Sequence, residues 1–364
     1  MDANTLRRLE NEIFVFHSIF EEVFTDILRF IQYGRSDECL CIIGPTGVGK
    51  SKMKVYLVDY LVQQSLNGWQ PDCHHPITIE APAKARRDFP WRAFLEDLLL
   101  LLGEKDIRRK VDLDEVQRRK QNFVHPPFSS GLSISQLEHL AKLRINTLKP
   151  SAILIDEAQN MVEGMSETDR KTNVNRLKYW ANSMDTKFIL FGTHESKHVL
   201  NLNEQLSRRI APIYFPRYSK TREGIERFAE FYLGLKEQLN LMVDKRIEDN
   251  FEDIYNYSLG CPGLLVTWIH HSISYCITTG KQSVSKSIWD SQKISATRLT
   301  TIERAIKTFE LELEKSKEAF NPDNVLPDDG QIDLSFDVKQ HQAQKTHNRR
   351  PGQQKPRRHT VHAD

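Results

Sequence analysis

The chain has 364 residues, 39% of them hydrophobic and 27% charged, with a formal net charge of +2. That length carries a full α/β core with a smaller domain beside it, and that composition expects a packed interior. A balance so near neutrality excludes capture of a polyanion by global charge, so any nucleic-acid contact has to come from local basic clusters.

The five cysteines give no disulfide framework. Cys39, Cys41 and Cys276 lie in apolar segments and read as core thiols in a reducing compartment. Cys73, His74 and His75 lack a complementary Cys/His pair at finger spacing and read as a turn. The longest apolar run, residues 98–102, is too short to span a bilayer. No signal peptide is expected either, so the reading is a cytoplasmic protein with no membrane partner.

In chain order, Phe16, Phe20, Val23, Phe24, Ile27 and Ile31 recur at helical spacing before Gly34. Residues 1–36 are therefore expected to form a helix packed on the core. Short apolar runs and amphipathic stretches then alternate. Strands are expected at 39–43, 77–80, 152–155, 188–191 and 213–215. Helices are expected at 50–64, at 91–102 just after Pro90, and at 168–181. This alternation predicts an α/β fold with a parallel sheet over residues 37–217. Residues 105–136 interrupt it with a charged stretch and then a turn-rich one, expected to hold a helix and an exposed loop. After Arg217 the pattern is helical, with segments at 224–239, 245–257, 263–277, 286–295 and 300–318, a bundle assigned to residues 218–320. The remainder, 321–364, is acidic with prolines and then basic, its basic stretch 339–362 lacks an apolar core, and it is expected to be disordered.

Between the first strand and the first core helix lies Gly44-Pro45-Thr46-Gly47-Val48-Gly49-Lys50-Ser51. Glycines let such a loop curl and aim its N–H groups at phosphate oxygens. Lys50 is placed to reach β- and γ-phosphates, the Ser51 hydroxyl to ligate Mg²⁺, and the helix N-terminus to add partial positive charge. A glycine turn without a ligand would leave Lys50 unexplained. Downstream, the strand ending Ile155-Asp156-Glu157 presents two carboxylates where α/β sheets bind ligands. Asp156 is expected to hold Mg²⁺ opposite Ser51, and Glu157 to act as general base toward water. Thr193, just past the strand at 188–191, is expected to hold the lytic water or the γ-phosphate, or to cap the following turn. In Gln205-Leu206-Ser207-Arg208-Arg209, Arg208 or Arg209 is expected to reach the γ-phosphate of a neighbouring subunit, against the alternative of a surface pair.

This ordered set resembles the AAA+ ATPases. Within them the chain resembles the TniB/TnsC regulators of bacterial transposition, through GPTGVGKS at 44–51, TIEAPAKARRDFPWRAFLEDLLLLLG at 78–103, ILIDEAQN at 153–160, ILFGTHES at 189–196, NEQLSRRI at 203–210 and SLGCPGLL at 258–265. The resemblance implies an AAA+ core with a C-terminal helical lid. It also implies ATP and Mg²⁺ as cofactors, ATP hydrolysis, assembly of copies as a ring or filament on duplex DNA, and coupling of a target-selection factor to a transposase. The lid departs from many AAA+ proteins, since Gly263-Leu264-Leu265-Val266-Thr267-Trp268-Ile269 offers no arginine. Pro262-Gly263 is therefore expected only to set the helix start.

Lys84, Arg86 and Arg87 are the preferred DNA contacts, reaching phosphates with little sequence preference. The clusters at 108–110 and 118–120 read equally as solvated. The tail basics Arg349, Arg350, Lys355, Arg357 and Arg358 read as contacts for DNA or an acidic partner face, or as a solubilising tail, and the resemblance favours contact with the transposase. The rival readings are a helicase loader or initiator-like ATPase, a scaffold using ATP as glue, and a DEAD/DEAH-like helicase. The last lacks a second motor domain.

Overall fold

A computed structural model of the chain describes residues 3–35, 37–66, 75–84, 88–104, 132–196 and 209–318. Described residues up to Glu310 belong to one compact unit; a second unit begins at Leu311. Residues 105–131 and 321–364, Cys73, His74, Arg86, Arg87 and Arg208, for which the sequence sets expectations, lie outside the described residues.

Five parallel strands form one sheet: β1 (Cys39–Ile43), β2 (Ile77–Glu80), β3 (Ile153–Asp156), β4 (Phe188–Gly192) and β5 (Ile210–Tyr214), in the order β2-β3-β4-β1-β5. β1 and β4 are buried throughout, as continuous apolar runs in a doubly covered parallel sheet must be. The edges β2 and β5 are half-exposed, and only an edge strand tolerates Pro212. β5 starts three residues before the expected strand because its exposed positions hide the apolar alternation. Leu40 registers with Ile189, and Cys41 with Leu190. Leu40, Ile42, Leu154, Ile189 and Phe191 join a core shared with the N-terminal and C-terminal helices.

The opposite face carries α4 (Trp91–Leu101), α5 (Ile134–Leu148) and α6 (Glu167–Ser183), with Trp180 stacked on Phe94 and tilted against Phe188. Truncating that fully buried ring would cost about 3–5 kcal/mol. The helix α5 was not among the expected elements. Its start is nonetheless written in a capping box: Gln136 N–H donates to Ser133 Oγ (3.3 Å) and Ser133 N–H to Gln136 Oε1 (2.7 Å).

The N-terminal segment differs from the single expected helix. It is two helices, α1 (Ala3–Asn11) and α2 (Ser18–Tyr33), broken before His17, which caps α2 in extended conformation. Between β1 and β2 runs α3 (Lys50–Leu66). Beyond β5 come α7 (Arg222–Leu239), α8 (Lys245–Glu248), α9 (Phe251–Ser258), α10 (Pro262–Thr278), α11 (Lys286–Ser291) and α12 (Ala296–Glu318). The expected helix at 245–257 is split in two where Asn250 leaves the helical region at φ −121°, ψ 61°. Trp268 stacks on Trp289 at 4.2 Å and donates to its carbonyl (2.9 Å), joining α10 to α11.

Candidate nucleotide-binding site

β1 delivers the chain into the crevice at the carboxyl ends of the strands. The next strand in sequence, β2, lies at the far edge, and β4 and β5 flank β1 on either side. Such a switch point leaves room for a ligand. The loop 44–51 turns through Gly47 (φ 87°) and Gly49 (φ 115°), conformations closed to other residues without strain. α3 begins at Lys50, so its free N–H groups face the crevice. Lys50 Nζ donates to the carbonyls of Gly44 (2.7 Å) and Pro45 (2.9 Å). Burial pushes its pKa down to about 8, opposed by the Glu157 and Asp156 carboxylates. Thr46 and Ser51 are exposed at the rim.

β3 ends in Asp156, whose Oδ1 accepts from Glu157 N–H (2.9 Å) and whose Oδ2 pairs with Lys54. Lys54 lies one turn beyond Lys50 on α3, and sequence reasoning passed it over; an i, i+4 lysine after the loop is its only signal. Glu157 sits in the left-handed region at φ 51°, uncommon for a residue with a side chain. It opens a short 3-10 turn, Ala158–Met161. Two side chains of that turn reach the neighbouring strands. Asn160 donates to Ala81 O beyond β2 (2.8 Å), and Gln159 accepts from Thr193 N–H beyond β4 (3.1 Å) while donating to Glu157 Oε2. The Thr193 hydroxyl donates to the Glu195 carboxylate, and Ser196 N–H closes the turn onto Thr193 O (3.0 Å). The crevice thus gathers Lys50, Asp156, Glu157 and Thr193, the residues expected there.

The donor set fits a triphosphate with Mg²⁺. Ser51 and Asp156 offer hard oxygens, and Mg²⁺ needs only one or two protein ligands beside phosphate and water. Among the described residues no His, Cys, Asp and Glu groups form a larger metal cluster.

Beside the loop on the other side is an apolar cavity of about 110 Å³, walled by Phe14, Val15, His17, Val48, Phe231 and Val266 among others. Its walls come from the break between α1 and α2, from the loop itself, and from α7 and α10. His17 Nδ1 accepts from Tyr218 OH (2.8 Å), and burial foremost, with Arg227 second, lowers its pKa to about 4. The imidazole is therefore neutral at pH 7. At the α10 start, Gly263 N–H donates to Gly47 O (2.6 Å), and a Cβ on Gly263 would lie 2.8 Å from that oxygen. The Pro262-Gly263 pair therefore does more than set a helix start: it seats the start of α10 on the loop 44–51.

A second cavity, about 260 Å³, lies on the outer shoulder of the loop between Pro45, Thr46, Thr193 and Glu195 and the α12 residues Ile302 and Phe309. Arg217, on the segment after β5, chelates Glu310 of the same helix through two hydrogen bonds (2.7 and 2.8 Å).

The remaining predicted residues lie elsewhere. Lys84 is exposed and donates to Gly164 O (2.7 Å). Arg209 sits at the amino end of β5, the end of the sheet remote from the loop, pairing with Asn182 and lying 3.6 Å from Asp37.

Residues 33–200 match the AAA domain family. The chain carries an AAA+ P-loop core. No curated protein sequence matches it. Among solved structures, the Aeropyrum pernix ORC2 protein in ADPNP-ADP complexes is similar over 85% of this chain and 74% of that one, at 13% identity and a TM-score of 0.52. The A. pernix ORC1 protein in complex with DNA is similar over 79% and 68%, at 12% identity and a TM-score of 0.53. At such identities the likeness is one of fold. The apolar cavity between the N-terminal segment, the loop and α10 lies within the unit that ends at Glu310, and no helix among the described residues is long and apolar enough to cross a membrane.

Proposed function

We propose that this chain is a DNA-associated ATPase of the initiator and loader kind, which uses nucleotide as a switch for assembly on duplex DNA. The observation that carries the reading is the convergence of Lys50, Asp156, Glu157 and Thr193 on one crevice, next to an apolar cavity of about 110 Å³. In this reading the loop N–H groups and Lys50 hold the phosphates, and the apolar cavity takes the adenine. Ser51 and Asp156 would hold Mg²⁺, which would supply charge neutralisation on the phosphates. Glu157 takes a proton from the attacking water, and Thr193 orients that water or the γ-phosphate.

One feature supports action between copies. Arg209 lies at the sheet end away from its own loop, so it can serve only a nucleotide held by another copy, as can Arg208 beside it in sequence. The DNA assignment to Lys84, Arg86 and Arg87 draws on the sequence, and on ORC1, whose structure was solved with DNA.

Glu157→Gln tests the reading. It should keep ATP affinity, slow phosphate release by about 100-fold or more, and leave DNA-bound assemblies long-lived. Unchanged turnover removes Glu157 as base, and a chain that stays monomeric with ATP and duplex DNA removes the switch. A narrower role, coupling a target-selection factor to a transposase, is favoured by the motif forms DEAQN at 156–160 and GTHES at 192–196. Capture of an integrase-type transposase by the ATP-bound chain supports it, and capture of a replicative helicase instead replaces it with the loader role.

A further inference from the structure

We infer that Gln159 is a positioning residue that fixes the Glu157 carboxylate relative to the end of β4, so that the base and the strand end at Thr193 move together. This deepens the proposed ATPase reading and rests on it.

The Gln159 side chain is a buried polar group, 6% exposed, and both ends of its amide are used. Its orientation is settled by its neighbours. Thr193 N–H can only donate, so the atom facing it at 3.1 Å is Oε1, and the atom facing Glu157 is the donor Nε2. Glu157 Oε2 is therefore occupied, and Oε1 is the oxygen left to take a proton from water.

The backbone beneath needs this restraint. Glu157 is held at φ 51° by its N–H to Asp156 Oδ1 (2.9 Å) and by Asn160 N–H to its carbonyl (2.9 Å). Asn160 anchors the same turn to the β2 side through Ala81 O. None of these bonds touches the Glu157 carboxylate. Among the described residues, the Gln159 amide is the hydrogen-bond donor that reaches it. A displacement of Thr193, whose backbone follows the strand end, is passed through one rigid amide to the base. Misplacement of a reacting group by 1 Å costs about 100-fold in rate, so this lever is long enough to gate turnover.

Two near-isosteric variants separate positioning from simple satisfaction of a buried N–H. Gln159→Met keeps the volume and loses both hydrogen bonds. Gln159→Glu keeps the acceptor for Thr193 N–H but sets a carboxylate against Glu157. Both should lower kcat for ATP by about 10- to 100-fold with KM within threefold. In the Glu157→Gln background neither should lower it further. In the intact chain, the Gln159 side-chain amide resonance, assigned by its loss in Gln159→Met, should move on Glu157→Gln. If Gln159→Met does not fold, Gln159→Glu carries the test. A Gln159→Glu enzyme with kcat within threefold of the parent overturns the inference, because satisfying Thr193 N–H would then suffice. An amide resonance that ignores Glu157→Gln also overturns it. Absence of ATP turnover in the parent chain would instead defeat the proposed function, and the amide resonance would still decide whether Gln159 holds Glu157.

Discussion

The two ends of the nucleotide crevice are built from opposite materials. The phosphate end is polar and local in sequence: eight consecutive residues, one acidic strand end, one threonine. The apolar cavity beside it is dispersed, drawing on α1, the break before α2, α7 and α10. In the proposed reading the first would hold phosphates by aimed dipoles and charge, and the second a base by shape and exclusion of water. Polar recognition needs particular atoms and leaves motifs; apolar enclosure needs only volume and leaves none.

The sharpest way to break this comparison is Lys50→Ala. It should abolish ATP binding in a fluorescent-nucleotide titration, a loss of 100-fold or more, and remove DNA-dependent assembly with it. Binding that survives would shift the weight to the apolar end. Val266→Phe works from that side. Filling the cavity should weaken ATP by about tenfold yet leave inorganic triphosphate unchanged. Equal losses for both ligands would mean the cavity does not take the base. Gly263→Val addresses the seam between the ends. The added side chain meets Gly47 O, so lid or loop must shift, costing about 1–3 kcal/mol in unfolding free energy and weakening ATP several-fold.

The smallest effect is one of pH. Burial pushes the Lys50 pKa down to about 8 in the folded chain from the ordinary lysine value of 10.5. Between these values the unfolded chain binds the extra proton, so this residue's contribution to stability rises with pH there. Nucleotide needs the ammonium, so ATP affinity should fall by up to about tenfold per pH unit above 8, with proton uptake measurable by calorimetry in buffers of different ionisation enthalpy. Affinity flat from pH 8 to 9.5 would place the Lys50 pKa higher.

The parallel sheet, the loop and the acidic pair were legible because each rests on local pattern: buried apolar runs, glycines before a lysine, carboxylates at a strand end. The role of Gln159 was not, since its two partners lie two residues back and 34 residues ahead. Nor was the cavity, whose Phe14 and Val266 look like any core residues. α5 was legible and passed over; Ser133 and Gln136 announced it. The division of the N-terminal helix hinged on His17, a cap of an unusual residue type.

The placement of Arg209 has a geometric consequence. It and the phosphate loop stand at opposite ends of the same five-residue strands, about 17 Å apart along the strand direction. An arginine donated from one end to a site at the other joins unlike surfaces, head to tail. Repeated head to tail, such a union has polarity, since each junction leaves one free donor and one free acceptor, whereas two copies exchanging arginines across a two-fold axis would leave none. Copies added this way close into a cycle or continue as a screw, and a screw whose pitch suits a double helix would inherit the direction of its first member.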